Sequence, residues 1–306
     1  MLIHNHNDPK FMKDLPRMEP LVMDSTASKL YKACARKYFY RIVLGRVVPN
    51  DITPPYFVWG TAIHKCYEIL EKEGIVKAMA FANTFRINIS EDFKKFDFLD
   101  KTRFIKTFAK IAEENKKEKD QNKIKVIGIE QPFNIELPDG SFIGGRFDQV
   151  LEWNSDVWIR DFKTTSKQKN YFQRGMDPND QAMRYLYAAT LMHLGKEKFE
   201  KGFIVKGVIF QAIYNAKTVG PEVYPVIFAK NGSQVKRWLE DQMFINRQLE
   251  VNRKEDVWPM SETEQCNFCE YATVCRMPSE QGMVQILKNN YKFQPWDFTK
   301  VDQDGD

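Results

Sequence analysis

The chain has 306 residues, 43% of them hydrophobic and 23 of them phenylalanine; that is enough for one large domain or two ordinary ones and too apolar for a disordered or fibrous protein. Lysine and arginine number 46 against 41 aspartate and glutamate, a net charge of +5 that permits a phosphate-rich partner without requiring one. The first twenty residues lack a basic start followed by an apolar stretch and no run of eighteen apolar residues occurs, so the sequence reads as soluble and cytoplasmic, with no membrane span.

Residues 1–24 read as an N-terminal arm. From Ser25, an N-cap candidate, STASKLYKACARKYFYRIVLG has the pattern of an amphipathic helix ending near Gly45, with Leu30, Cys34, Tyr38 and Ile42 at helical spacing. After the Pro54-Pro55 break, GTAIHKCYEILEKEG reads as a second helix closed by Gly74, and residues 76–120 read as mostly helical. The period then changes to that of strands: KVIGIEQPFNIEL meets SFIGGRFDQVLEW across the turn residues Pro138, Asp139 and Gly140, and DVWIRDFKTT follows after Asn154 and Ser155. A helix, PNDQAMRYLYAATLMHLG, starts near Pro178 and stops at Gly195. Two more strand candidates, GFIVKGVIFQAIYNA and EVYPVIFAK, precede a helix at about 232–252, three cysteines, and a partly disordered tail over 286–306. Helices on both sides of a strand cluster predict an α/β domain with a mixed sheet over residues 25–285.

The strand DVWIRDFKTT carries Asp161 and Lys163 two positions apart, so both project from one face while Phe162 faces the other way. If Asn154 and Ser155 form a two-residue hairpin loop, Asp161 falls opposite Asp148, with Cβ atoms roughly 4.5–5.5 Å apart. Two carboxylates that close repel unless a cation lies between them. Paired acidic oxygens beside a lysine are a recipe for Mg2+- or Mn2+-assisted phosphodiester hydrolysis, in which the metal activates water and the lysine orients it or stabilises developing negative charge. An ion pair at a sheet edge, worth about 0.2–1 kcal/mol, is the competing explanation of Asp161 and Lys163 alone.

Asp148 in GGRFDQV, followed thirteen positions later by Asp161 in RDFKTTS, resembles the core of the PD-(D/E)XK nuclease superfamily in its RecB-like exonuclease branch. GTAIH resembles the branch's G-x-x-x-H, QAMRY resembles its Q-x-x-x-Y, and Glu130 in IGIEQPF sits where the branch often has an acidic residue on the preceding strand. The resemblance implies a restriction-endonuclease-like mixed sheet flanked by helices. It implies His64, Asp148, Asp161 and the Phe162 carbonyl as metal ligands, Lys163 as the group assisting the attacking water, and Gln181 and Tyr185 as groups steadying the substrate or Lys163.

Cys266, Cys269 and Cys275 form C-x2-C-x5-C, and Cys34 lies far upstream. Clustered thiolates at such spacing read as metal ligands, and three need a fourth, for which Cys34 is the natural candidate. Spacing leaves both zinc and iron-sulfur open. The split arrangement is similar to iron-sulfur nucleases of the same branch, including the AddB nuclease domain and CRISPR-associated RecB-like exonucleases, and so implies a [4Fe-4S] cluster joining the N- and C-terminal segments. Cys66 reads instead as a small buried thiol.

Taken together, these features predict a metal-dependent deoxyribonuclease, an exonuclease acting on single-stranded DNA or DNA ends in replication, recombination or repair. No G-x-x-x-x-G-K-[ST] phosphate loop occurs, so the expectation is an enzyme acting alone or with a separate helicase or recombination partner. The alternative is a non-catalytic, metal-stapled DNA-binding module.

Overall fold

Asp24, rather than Ser25, caps the first helix: its carboxylate accepts a hydrogen bond from the Ala27 amide at 2.7 Å. In the computed structural model, which describes residues 15–18, 22–49, 54–87, 89, 91–122 and 124–297, the helix predicted over 25–45 is interrupted. Helix α1 (Ser25–Ala33) stops at Cys34, which is extended (φ −166°, ψ 115°), and the chain resumes as α2 (Ala35–Tyr38) and a π-helical turn, Phe39–Val43. The break has a tertiary cause. The Arg36 amide donates to the Pro259 carbonyl and its Nε to the Trp258 carbonyl, so partners more than two hundred residues away replace those of a continuous helix. The short strand β1 (Arg46–Val47) follows.

Helix α3 (Pro55–Glu73) starts five residues before the expected Gly60, with Pro55 in the first turn, where a missing N–H costs nothing. Gly74, at φ +87°, turns the chain into α4 (Ile75–Thr84); a 3-10 turn (Glu91–Phe96) leads to α5 (Lys101–Asn122). Three long strands follow, β2 (Lys125–Glu136), β3 (Phe142–Trp153) and β4 (Asp156–Thr165). Next come α6 (Lys169–Gly175), α7 (Asp180–His193), α8 (Lys196–Glu200), β5 (Gly207–Ala216), β6 (Val219–Phe228) and α9 (Gly232–Glu255). The chain ends with a 3-10 turn (Glu264–Phe268), α10 (Ala272–Cys275), α11 (Glu280–Asn289) and β7 (Lys292–Phe293).

The long strands form one sheet in the order β2-β3-β4-β5-β6, antiparallel except for the parallel β4–β5 pair. This is the mixed, helix-flanked sheet of a restriction-endonuclease-like fold. The β3–β4 hairpin has the predicted register: Trp153 pairs with Asp156 and Gln149 with Arg160. Asn154 and Ser155 both have positive φ (52° and 64°), the backbone of a type I′ turn.

Alternation along β4 divides the core. Ile159 packs with Phe147, Val208 and Phe210 under Ala182, Leu186 and Ala189 of α7. Phe162 points the opposite way, stacked on Tyr67 of α3 at 3.6 Å and packed with Phe104 and Phe108 of α5. A third apolar cluster ties the two ends of the chain together through Tyr38, Phe39, Trp258, Tyr271 and Tyr291, and β1 pairs with β7. Most of the expected arm (1–24) and residues 298–306 of the expected tail lie outside the described residues. Within them Leu15 and Met23 are buried, and α11 and β7 continue past residue 285 into the tail segment. Among the described residues no helix is long and apolar enough to cross a membrane.

Candidate active site

At the end of the β3–β4 hairpin the ladder gives way at the acidic residues. Its last rung is Gln149 with Arg160; one step further the Asp148 carboxylate accepts a hydrogen bond from the Phe162 amide at 2.7 Å. On the other side of β3, Ile129 pairs with Gln149 and Gln131 with Phe147, which sets Glu130 opposite Asp148. Glu130 itself has φ +48°, a conformation rare for a side-chain-bearing residue and costing of order 1 kcal/mol or more.

Helix α3 supplies the third component. Gly60 sits where an added Cβ would come within 3.2 Å of Thr164 Oγ1, so its small size lets α3 approach β4 closely. One turn on, His64 places Nε2 at 3.0 Å from the Phe162 carbonyl and Nδ1 at 3.4 Å from Asp148 Oδ2. The G-x-x-x-H spacing is thereby explained as a close-packing residue followed, on the same helix face, by the side chain that the packing delivers. Both imidazole nitrogens face oxygen acceptors, and a neutral ring can donate to only one of them. A cation among these oxygens removes the conflict.

His64, Glu130 and Asp148 each offer a ligand atom within 4.8 Å of the others. Asp161 is buried beside this triad but outside that 4.8 Å group. One of its oxygens, Oδ1, is 3.3 Å from both Gln181 Nε2 and the Tyr185 hydroxyl, and Oδ2 is 3.2 Å from Lys163 Nζ. Gln181 Nε2 also donates to the Tyr185 oxygen at 2.8 Å, and the Tyr185 hydroxyl has two acceptors in reach, the Arg146 carbonyl at 2.9 Å and Asp161 Oδ1 at 3.3 Å. The Q-x-x-x-Y pair therefore braces Asp161, one turn of α7 apart and on the helix face that covers the sheet.

The electrostatics are those of a site short of positive charge. Burial pushes the Asp161 carboxyl up to about 6, opposed by Lys163 and reinforced by the Asp148 charge. Burial likewise pushes Glu130 up to about 7; Asp148 adds to the rise, and Arg146 and His64 oppose it. Glu130 Oε2 lies 2.8 Å from Arg146 Nε and Asp161 Oδ2 lies 3.2 Å from Lys163 Nζ, so each carboxylate has one cationic partner. Carboxylates gathered beside a histidine and a backbone carbonyl fit a hard divalent cation. The sequence offered Glu130 only through the family resemblance; its weight in the site comes from the backbone kink and the opposition to Asp148, which no spacing rule predicts.

All the predicted site residues His64, Asp148, Asp161, Phe162, Lys163, Gln181 and Tyr185 line a single cavity of about 1520 Å3, together with Glu130. The predicted cysteine group lies elsewhere. Cys34, Cys266, Cys269 and Cys275 all line a second cavity of about 230 Å3, which Lys37 and Arg276 also border. Burial raises the Cys275 thiol, with Arg36 opposing and Cys269 and Cys34 adding to the rise. Cys66 is fully buried, its thiol pushed up to about 12 by burial, and belongs to the core beside Phe162.

A family profile described as the PD-(D/E)XK nuclease superfamily matches residues 25–276. No curated protein matches the chain. Among solved structures, a provisionally named exonuclease from Eubacterium rectale aligns at 12% identity and a TM-score of 0.49, covering 92% of this chain and 95% of its own. The protein SSO0001 aligns at 12% identity and a TM-score of 0.28, covering 82% of this chain and 96% of its own. Both likenesses are too distant to bear on the chemistry of this chain.

Proposed function

The chain belongs to the PD-(D/E)XK nuclease superfamily, and from that premise we propose that it is a divalent-metal-dependent deoxyribonuclease of the RecB-like branch, an exonuclease on single-stranded DNA or DNA ends. The observation that carries this reading is the convergence of His64, Glu130 and Asp148 within 4.8 Å, beside the buried Asp161–Lys163 pair, in one open cavity. Members of the superfamily use divalent metals, and the oxygen-rich donor set suits Mg2+ or Mn2+. We assign as ligands His64, Asp148, Asp161 and the Phe162 carbonyl, with Glu130 added to them.

When bound, the ion lowers the pKa of a coordinated water and neutralises charge on the phosphate. Lys163, held at 3.2 Å by Asp161, donates to the attacking water or to the oxygen on which negative charge develops. Gln181 and Tyr185 hold Asp161 Oδ1 and leave Oδ2 facing Lys163. The Asp148 carboxylate, accepting from the Phe162 amide, fixes the strand end that presents the Phe162 carbonyl. We assign the enzyme to DNA replication, recombination or repair in the cytoplasm, alone or beside a separate helicase or recombination partner.

We further assign a [4Fe-4S] cluster to Cys34, Cys266, Cys269 and Cys275. The support is the common cavity lined by all four cysteines, which come from the two ends of the domain, with zinc as the alternative. The catalytic test is cleavage of end-labelled single-stranded DNA in Mn2+ by the parent and by Asp161→Ala. The expected loss is on the order of 100-fold or more. Equal cleavage by both removes the catalytic assignment, and cleavage by neither favours a metal-stapled DNA-binding module.

A further inference from the structure

Tyr56, Gly60 and His64 succeed one another at intervals of four on α3, so they share one side of the helix, and all three line the large cavity. Eight residues of helix put Tyr56 about 12 Å from His64. That is roughly three to four base steps along a stacked strand. Tyr56 is 40% exposed, although most aromatic side chains of this domain are enclosed. Its ring meets Phe57 edge-on at 4.4 Å and leans on Phe96 at 5.3 Å. Phe96 comes from the separate 3-10 turn Glu91–Phe96, and the Lys95 ammonium lies 5.2 Å from its ring centre. The cavity thus has two chemically distinct parts, a floor of carboxylates and Lys163 and, further up α3, an aromatic shelf.

A phosphodiester chain alone gives the shelf nothing to bind, because aromatic faces attract flat, apolar surfaces rather than phosphates. An unpaired strand offers both kinds of surface at once, phosphates for the floor and base faces for the shelf. Duplex DNA keeps its base faces inside the stack. We propose that Tyr56 and Phe96 form a base-stacking ledge that makes an unpaired strand the preferred occupant of this cavity; the proposal rests on the nuclease reading and assigns its strand selectivity to these two side chains.

The test is fluorescence-anisotropy binding, with Ca2+ in place of Mn2+, of a labelled single strand, the same strand carrying abasic positions, and the same strand annealed to its complement. The parent binds the intact strand about 5-fold or more tighter than the abasic one, the scale of a single base–aromatic stack. Tyr56→Ala and Phe96→Ala bind intact and abasic strands alike, and Tyr56→Phe, which keeps the ring, behaves as the parent. Tyr56 is exposed enough that its truncation leaves the fold intact, so Tyr56→Ala decides the matter should Phe96→Ala unfold. Retention of the full preference for the intact strand by Tyr56→Ala overturns the ledge, as does a parent that binds intact and abasic strands equally. A parent that binds none of the three DNAs overturns the nuclease reading and not merely the ledge.

Discussion

Glu130→Gln should stabilise the metal-free protein at alkaline pH while impairing its activity. The Glu130 carboxyl is raised from the ordinary carboxylate value to about 7, chiefly by burial. A carboxyl raised in the folded state is a liability once it ionises: the penalty is absent below the ordinary value near 4.5, grows between there and about 7, and is complete above. At about 1.4 kcal/mol per pH unit the penalty amounts to at most about 3 kcal/mol at pH 8. Removing the charge also removes the Glu130 carboxylate that Arg146 Nε faces at 2.8 Å, so a net gain of about 1–3 kcal/mol is expected. A chain of 306 residues has an unfolding entropy of roughly 0.6 kcal/mol per kelvin, which makes this about 2–5 °C in Tm. Differential scanning fluorimetry with a chelator, at pH 5 and pH 8, reads the effect directly. The variant should melt above the parent at pH 8 and level with it or slightly below at pH 5. With saturating Mn2+ at pH 8 the order should reverse, because the parent alone gains the full ligand set. A variant that melts below the parent at pH 8 without metal, or shifts equally at both pH values, refutes the view that Glu130 is held for a cation.

Tyr185→Phe keeps the ring packed against Phe147 and Phe133 but leaves the Arg146 carbonyl without its hydroxyl donor. Urea unfolding should show a loss of about 1–2 kcal/mol, and steady-state kinetics a fall in kcat with KM nearly constant. Cys34→Ser should abolish the brown colour and most of the iron of protein purified without oxygen; a colourless, zinc-loaded parent contradicts the cluster assignment. Ser155→Gly relieves a positive φ in the type I′ turn and should add about 0.5–1 kcal/mol of stability by urea titration, and a destabilised variant contradicts the turn assignment.

The strand half of the domain was legible because its signals are local. Alternation over Phe142–Trp153 and Asp156–Thr165, with two small polar residues between, sets the hairpin register, and the register sets Asp148 near Asp161. The sheet order, and the parallel pairing of β4 with β5 across α6, α7 and α8, follow from long-range packing that no short stretch encodes. The helical N-terminal part was less legible for the same reason. The pattern from Ser25 to Gly45 suits one helix, but the contacts of Arg36 with Trp258 and Pro259 break it at Cys34. In the site, the residue types and spacings of His64, Gln181 and Tyr185 were visible in the sequence, whereas what each touches was not. Gln181 and Tyr185 both lie against Asp161. Glu130 gains its place through a single left-handed backbone conformation inside a strand, which is invisible to periodicity.

The chemistry proposed for this site requires a divalent cation between α3 and the ends of β3 and β4. Crystals soaked in Mn2+ and measured at a wavelength where manganese scatters anomalously test it most directly. The predicted result is a strong anomalous peak about 2.0–2.6 Å from carboxylate oxygens of Asp148 and Asp161 and from the Phe162 carbonyl, with His64 or Glu130 completing the shell. A peak elsewhere on the molecule, or a cavity without one at saturating Mn2+, contradicts it.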